Sequence, residues 1–164
     1  MNRPFLSYSN PLSDNALNYN GDNTHTLNAN VGADVLLGKG FKFVTNNTLY
    51  LISSRGENLS NPYYGQSAES SKGFVSVGSE LRVRHNFQQL LNYTRTFAGI
   101  HNVEALVGHE YYRSKSYSLS DTRTNLVDNQ NHELGGGLEN GTPSSSAGLY
   151  NTEGWFARAN YSLF

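Results

Sequence analysis

Hydrophobic and polar residues alternate one by one along several long stretches of this chain. In the clearest stretch, residues 73–97, the apolar side chains fall on odd positions: Val75, Val77, Leu81, Val83, Phe87, Leu91, Tyr93 and Phe97. The even positions are mostly polar: Ser76, Glu80, Arg82, Arg84, Asn86, Gln88, Asn92 and Thr94. A period of two is typical of a β-strand with one apolar and one wet face.

The same alternation predicts further strands on both sides of this central one. The predicted strands cover 24–37, 41–53, 73–97, 102–119 and 154–164. Gly38, Lys39 and Gly40 supply the positive-φ residues that a tight hairpin needs, and Ala98 to His101 form a second short turn. We therefore predict an all-β fold, an antiparallel up-and-down meander of about five long strands.

Segments rich in Pro, Gly, Asn and Ser separate these strands. They predict a tail over 1–23 and long loops over 54–72 and 120–153, the last made flexible by Gly135 to Gly137. The connections thus alternate between short and long. Outer-membrane barrels have short periplasmic turns and long extracellular loops, so the order favours such a barrel.

A barrel wall explains both faces of the strands. Apolar side chains would face lipid, and polar side chains would face the lumen. The predicted lumen-facing polar residues are Glu80, Arg82, Arg84, Glu104, Glu110 and Arg158. Because the smallest barrels have about 8 strands, five strands are too few to close one. We expect the chain to form part of a larger transmembrane β-barrel.

Composition agrees with a wall that is apolar on one side only. The 164 residues include 11 Tyr, 8 Phe and 16 Gly, but only 37% are hydrophobic. A net charge of -1 without a basic cluster argues against a nucleic-acid partner. The chain has no Cys, no apolar run long enough for a membrane-spanning helix and no secretory signal at its N-terminus. If the protein belongs in an outer membrane, we therefore expect that this chain does not reach it by itself.

Several short motifs are similar to a known family. They are Asn10-Pro11-Leu12, the hairpin from Leu36 to Phe43, the segment from Leu91 to Phe97, the segment from His101 to Glu110 and the segment from Gly154 to Tyr161. In that order they resemble the mid-barrel region of SusC/RagA-type TonB-dependent outer-membrane transporters of Bacteroidetes-like bacteria.

This resemblance implies a parent barrel of about 22 strands, filled by an N-terminal plug domain that the present sequence does not contain. It also implies outer-membrane lipid, the TonB complex and a SusD-like lipoprotein lid as partners. The imported substrate would be an oligosaccharide or a peptide. A piece of this size is not expected to transport alone.

Candidate ligand-binding residues are Tyr63, Tyr64 and Tyr150, which fall in predicted extracellular loops where aromatic rings could stack on sugars. Packing of the loops or contact with a lid protein is the alternative. The five His residues lack metal-site spacing, so we expect no metal and no cofactor. Two of the residues Glu80, Glu104 and Glu110 could form a glycosidase carboxylate pair, but no catalytic motif accompanies them, and we expect no enzyme.

Two other kinds of protein fit parts of the pattern. One is a soluble β-sandwich module that binds carbohydrate, whose wet face would simply meet solvent. The other is a small complete adhesin-like barrel, which would need at least three more strands hidden in 1–23 and the two long loops.

Overall fold

The structure, a computed structural model, describes residues 11–163. Its elements follow one another as α1 (Pro11–Leu17), β1 (Tyr19–Gly38), β2 (Phe41–Ser60), α2 (Gln66–Ser71), β3 (Phe74–Phe97), β4 (His101–Leu126), a 3-10 turn (Leu134–Gly136), β5 (Gly137–Asn140) and β6 (Ser144–Leu163). Residues 1–10 of the predicted tail and Phe164 of the last predicted strand lie outside the described range.

The strands form one sheet in the order β1-β2-β3-β4, and β4 pairs with both β5 and β6. Thr124 of β4 lies opposite Glu139 of β5 in an antiparallel register. The prediction of an all-β antiparallel meander is confirmed. A β-sandwich needs two sheets, whereas the described residues form one, and β1 pairs with β2 alone, so this sheet is not closed.

Both hairpin turns lie where the sequence predicts them. Gly38, Lys39 and Gly40 all have positive φ, at 82°, 52° and 93°. In the second turn Ala98 and Gly99 also have positive φ, and Ile100 N–H donates to the Phe97 carbonyl. These short turns fix the antiparallel pairing of β1 with β2 and of β3 with β4.

At their other ends the strands extend further than predicted. β1 begins at Tyr19 and follows a short helix, where a tail was expected, and β2 continues to Ser60, where a loop was expected from residue 54. In these extensions polar residues occupy both faces of the strand, as in Ser53 to Ser60. The alternation that reveals a strand in the sequence is then absent, although the ladder continues.

The predicted loop over 120–153 is mostly strand. β4 runs to Leu126, and β6 already begins at Ser144. The glycines at 135–137 do not provide slack in a flexible loop: Gly136 and Gly137 are buried, and Gly137 begins β5. A side chain at Gly137 would collide with Arg123, so this run allows close packing onto β4.

The chain divides into two compact units. Among the described residues, unit 1 comprises 11–25, 53–81 and 117–147, and unit 2 comprises 26–52, 82–116 and 148–163. All buried hydrophobic side chains of the described residues lie in unit 1, where Leu59, Val75 and Leu126 pack together. Within residues 11–163, no helix has the length and apolar character needed to cross a membrane.

Candidate functional site

Side-chain contacts in unit 2 define two faces of the sheet by residue parity. On the even face Thr48 Oγ1 donates to Asn30 Oδ1 at 2.7 Å, and Asn46 Nδ2 donates to Gln88 Oε1 at 3.4 Å. On the odd face Phe41 lies against Tyr93, with ring centroids 4.6 Å apart. Because successive strand residues point to opposite faces, we call the even side of unit 2 the wet face and the odd side the apolar face.

Three contacts on the wet face bring aromatic, charged and amide groups onto neighbouring strands. The guanidinium of Arg84 lies over the Tyr50 ring, 5.7 Å from its centroid. Asn86 Nδ2 donates to Glu110 Oε1 at 3.2 Å. A second aromatic pair completes the group, as Tyr112 meets Tyr150 edge to face at 6.0 Å. We call Tyr50, Arg84, Asn86, Glu110, Tyr112 and Tyr150 the wet-face patch.

Two polar atoms of the patch, Arg84 Nε and Asn86 Oδ1, are buried and have no hydrogen-bond partner within residues 11–163. Aromatic rings offer flat apolar surfaces, while a guanidinium, an amide and a carboxylate offer donors and acceptors of both signs. Such a surface can hold a ligand that carries both charges and flat or apolar groups.

The apolar face of unit 2 is exposed. Val31, Leu37, Val107 and Trp155 are between 48% and 72% exposed, so no layer of the described chain covers them. Aromatic residues form one row across β3, β4 and β6: Phe87, Tyr111 and Trp155. A second row lies near the short turn between β3 and β4 and comprises Phe97, His101 and Tyr161. In this row His101 Nδ1 contacts Tyr161 Oη at 2.6 Å.

Polar side chains interrupt the apolar face at the level of the first aromatic row. The His109 ring lies 4.3 Å from Trp155, its Nδ1 contacts Gln89 Oε1, and its Nε2 contacts Glu153 Oε1, each at 2.9 Å. This polar belt marks one border of the apolar surface, and the sequence pattern did not reveal it.

In unit 1 the connections between strands fold over a cleft of about 480 Å³. Asn18, Asn20, Asn58, Ser60 and Phe74 are among its lining residues. A smaller neighbouring pocket, of about 190 Å³, includes Tyr64 and Asp14. Amide and hydroxyl groups dominate the larger cleft, which suits neutral polar groups.

Asn61 organises the connection beside this cleft. Its side chain is 1% exposed, and its Oδ1 accepts the backbone N–H groups of Tyr63 and Tyr64 at 3.0 and 2.8 Å. Its own N–H and Nδ2 donate to Asn18 Oδ1 at 2.9 and 2.7 Å. In the sequence, Asn61-Pro62 indicates only a loop, because an Asn that joins two segments is not distinguishable from other Asn residues by local pattern.

The connection after β4 is held by an ion pair. Both carboxylate oxygens of Glu133 accept hydrogen bonds from Arg55 Nη2 at 2.6 Å. The hydrogen bond with Glu133, then the charge of Glu133, raises the pKa of Arg55 above its ordinary value. Tyr19 also stacks on His132, with centroids 4.2 Å apart. Both contacts join the strand ends of unit 1 to residues 132–133.

The structure distributes the predicted aromatic residues between the two units. Tyr63 is exposed and Tyr64 half-buried, both in the connection before α2. The expectation that Tyr150 lies in an extracellular loop is wrong, because Tyr150 lies within β6, on the wet face. Tyr50 and Tyr112 were not among the predicted aromatic residues, although their even positions in long strands could have revealed them.

The predicted polar residues lie on even strand positions. Arg82, Arg84, Glu104, Glu110 and Arg158 belong to unit 2, where their parity matches the wet face. Glu80 belongs to unit 1 and lines a pocket of about 230 Å³. Of the six, the structure brings Arg84 and Glu110 into the wet-face patch. Within residues 11–163, no three His, Asp or Glu side chains are grouped closely enough to hold a metal ion.

No family model and no curated protein sequence matches this chain. Solved structures do match it: the RagAB peptide transporter, and the RagAB peptide importer in its closed-closed and open-open states, with TM-scores of 0.81, 0.81 and 0.79. Each is 18% identical and covers 90% of this chain.

The chain spans only 16% to 17% of the length of these transporter chains. RagA is a SusC-type TonB-dependent transporter. The resemblance predicted from the motifs is therefore confirmed at the level of the fold: this chain has the fold of one part of a SusC/RagA-type transporter.

Proposed function

We propose that the chain is a piece of the wall of a TonB-linked outer-membrane transporter, which imports peptides or glycans together with a SusD-like lipoprotein. The observation that carries this proposal is the fold that 90% of the chain shares with the RagAB peptide transporter. In this proposal the wet face lines the lumen, the apolar face meets lipid, and the piece does not transport alone.

The spacing of the two aromatic rows supports a lipid-facing role. Phe87 and Phe97 are ten residues apart on β3, and a strand rises roughly 3.3 Å per residue, so the rows are roughly 33 Å apart along β3. They are closer on β6, where Trp155 and Tyr161 are six residues apart. With a strand tilt of about 40°, the length on β3 corresponds to a band about 25 Å tall, the height of the apolar band of outer-membrane barrels.

The residues between the rows also suit lipid. Apart from His109, the side chains on the apolar face of β4 and β6 between the rows are small or aliphatic, and they are Val103, Ala105, Val107, Ala157 and Ala159. Unit 2 has no buried hydrophobic residue in its described part. Because the hydrophobic effect stabilises a soluble sheet only when one face is covered, lipid or a further layer must cover this one.

The wet-face patch supports peptides as the favoured substrate. A short peptide carries a carboxylate, an ammonium group and amide groups, which Arg84, Glu110 and Asn86 complement in turn. Tyr50, Tyr112 and Tyr150 offer ring surfaces for its side chains. In the intact transporter, Arg84→Gln is expected to weaken uptake of a peptide with a free carboxyl terminus more than uptake of its C-terminal amide.

Refolding with and without lipid tests the proposal. We expect the chain diluted from urea into phosphatidylcholine vesicles to float with them and to gain β-structure by circular dichroism, and to aggregate in lipid-free buffer. A soluble monomer with a cooperative melt in lipid-free buffer would contradict the proposal, since it would mean that the apolar face is covered by the chain itself.

A further inference from the structure

Basic side chains lie on the apolar face of unit 2, just beyond the first aromatic row. Contacts at 6.4 Å between the rings of Phe87 and Tyr111, and at 2.9 Å between Gln89 and His109, fix the register of β3 against β4. The next position on the same face, away from the short turn, pairs His85 with Arg113. Lys115 follows two residues later on β4, on the same face. We call His85, Arg113 and Lys115 the basic cluster.

Arg113 and Lys115 have no side-chain ion pair or hydrogen bond within residues 11–163. The Nε atom of Arg113 is buried there without a partner. The other charged groups on the apolar strand positions of unit 2 contact neighbouring side chains. Arg95 lies 5.1 Å from the Phe97 ring centroid, and Glu153 contacts His109. The cluster thus carries positive charge that the described chain does not neutralise.

Its position relative to the aromatic row indicates what neutralises it. Aromatic rows mark the two borders of the hydrocarbon region, so side chains immediately beyond a row lie among lipid headgroups. Arg forms bidentate hydrogen bonds with phosphate, and Lys supplies a compact charge. Unlike a site for free phosphate, the cluster is continuous with an apolar surface on which acyl chains can lie.

We propose that His85, Arg113 and Lys115 bind the phosphate group of a membrane lipid that packs against the apolar face. This inference rests on the proposed function, because it requires that face to meet lipid. It adds a lipid class: the cluster favours lipids with an exposed phosphate over lipids whose phosphate is masked by a choline group.

Vesicle partitioning of the full chain tests the inference. The probes are vesicles of phosphatidylcholine alone and vesicles of equal parts phosphatidylcholine and phosphatidic acid. The variants are Arg113→Gln with Lys115→Gln, and as matched control Arg158→Gln, which removes a cation from the wet face. Each basic side chain near an anionic lipid surface contributes roughly fivefold to partitioning, so the double variant should lose roughly 25-fold on phosphatidic acid vesicles.

The outcomes separate the two proposals. Support requires that wild type and Arg158→Gln prefer phosphatidic acid vesicles, that the double variant loses this preference but still binds phosphatidylcholine, and that added inorganic phosphate leaves the preference in place. Equal partitioning of wild type into both vesicles, or an equal loss in Arg158→Gln, overturns the lipid-phosphate site alone. Failure of wild type to bind either vesicle overturns the proposed function as well.

Discussion

At the scale of single residues, Asn61 shows how a polar side chain can order a connection that has almost no hydrophobic core. It is among the most deeply buried residues of the described chain, and all its side-chain bonds are directed to the backbone or side chains of two segments. Satisfied hydrogen bonds therefore hold unit 1 together where apolar burial is limited to a few residues.

Asn61→Ala should destabilise unit 1 by about 1–3 kcal/mol, because it removes the acceptor of two partly buried backbone N–H groups. Urea unfolding of the lipid-bound chain measures the change, and hydrogen exchange at Tyr63 and Tyr64 locates it. Asn58→Ala is the matched control, since Asn58 is exposed. Asn61→Asp keeps the acceptor and should preserve protection of the two amides; loss of protection in both variants would contradict this role of Oδ1.

Gly108 is a second position where one residue decides local packing. A Cβ atom there would overlap the Phe156 ring from the neighbouring strand. Gly108→Ala should therefore cost roughly 1–3 kcal/mol by overpacking, and the added substitution Phe156→Ala should recover most of that cost. A double-mutant cycle from urea unfolding tests this; a single variant as stable as wild type would show that the ring moves freely aside.

At the scale of elements, the short turns explain why the strand pairs were predictable from the sequence. Gly38-Lys39-Gly40 has a turn composition that requires positive φ, and the structure has it at all three residues. The alternation on both sides then fixes which residues share a face. Turn chemistry and period two together specify a hairpin.

Substitutions in this turn should differ in cost. Gly38→Ala introduces a Cβ into open space and should cost about 1–2 kcal/mol through its left-handed conformation. Gly40→Ala should cost more, because its Cβ would also collide with the Thr94 carbonyl oxygen of β3. The comparison is made by urea unfolding in lipid; equal costs would show that contact with β3 does not constrain the turn.

The far ends of the strands were not predictable for a physical reason. Beyond the apolar band, residues such as Ser53 to Ser60 carry polar groups on both faces, so strand and loop have the same composition. The wet-face patch was difficult to predict for the same reason. The composition around Tyr150 predicts a loop, and its partner Tyr112 is not among the predicted aromatic residues. Contacts such as Asn18 to Asn61 join segments 43 residues apart and leave no trace in local pattern.

At the scale of the whole molecule, the sheet has open edges and an uncovered apolar face. It needs hydrogen-bond partners for its edges and a layer that covers the apolar face. Among the described strands, β1 pairs with β2 alone, so its other edge has free backbone groups. In hydrocarbon each unpaired group costs several kcal/mol. Under the proposed function, further strands satisfy these edges and lipid covers the odd positions, as expected for one part of a larger barrel.

The central claim is that odd and even positions of unit 2 meet lipid and water in turn, and a cysteine scan measures this directly. The chain has no Cys, so single substitutions from Gln88 to Asn92 on β3 can each carry a spin label in reconstituted bilayers. We predict that labels at odd positions collide with lipid-soluble oxygen and labels at even positions with a water-soluble nickel chelate, in strict alternation. Equal access of the nickel chelate to both sets would contradict the account.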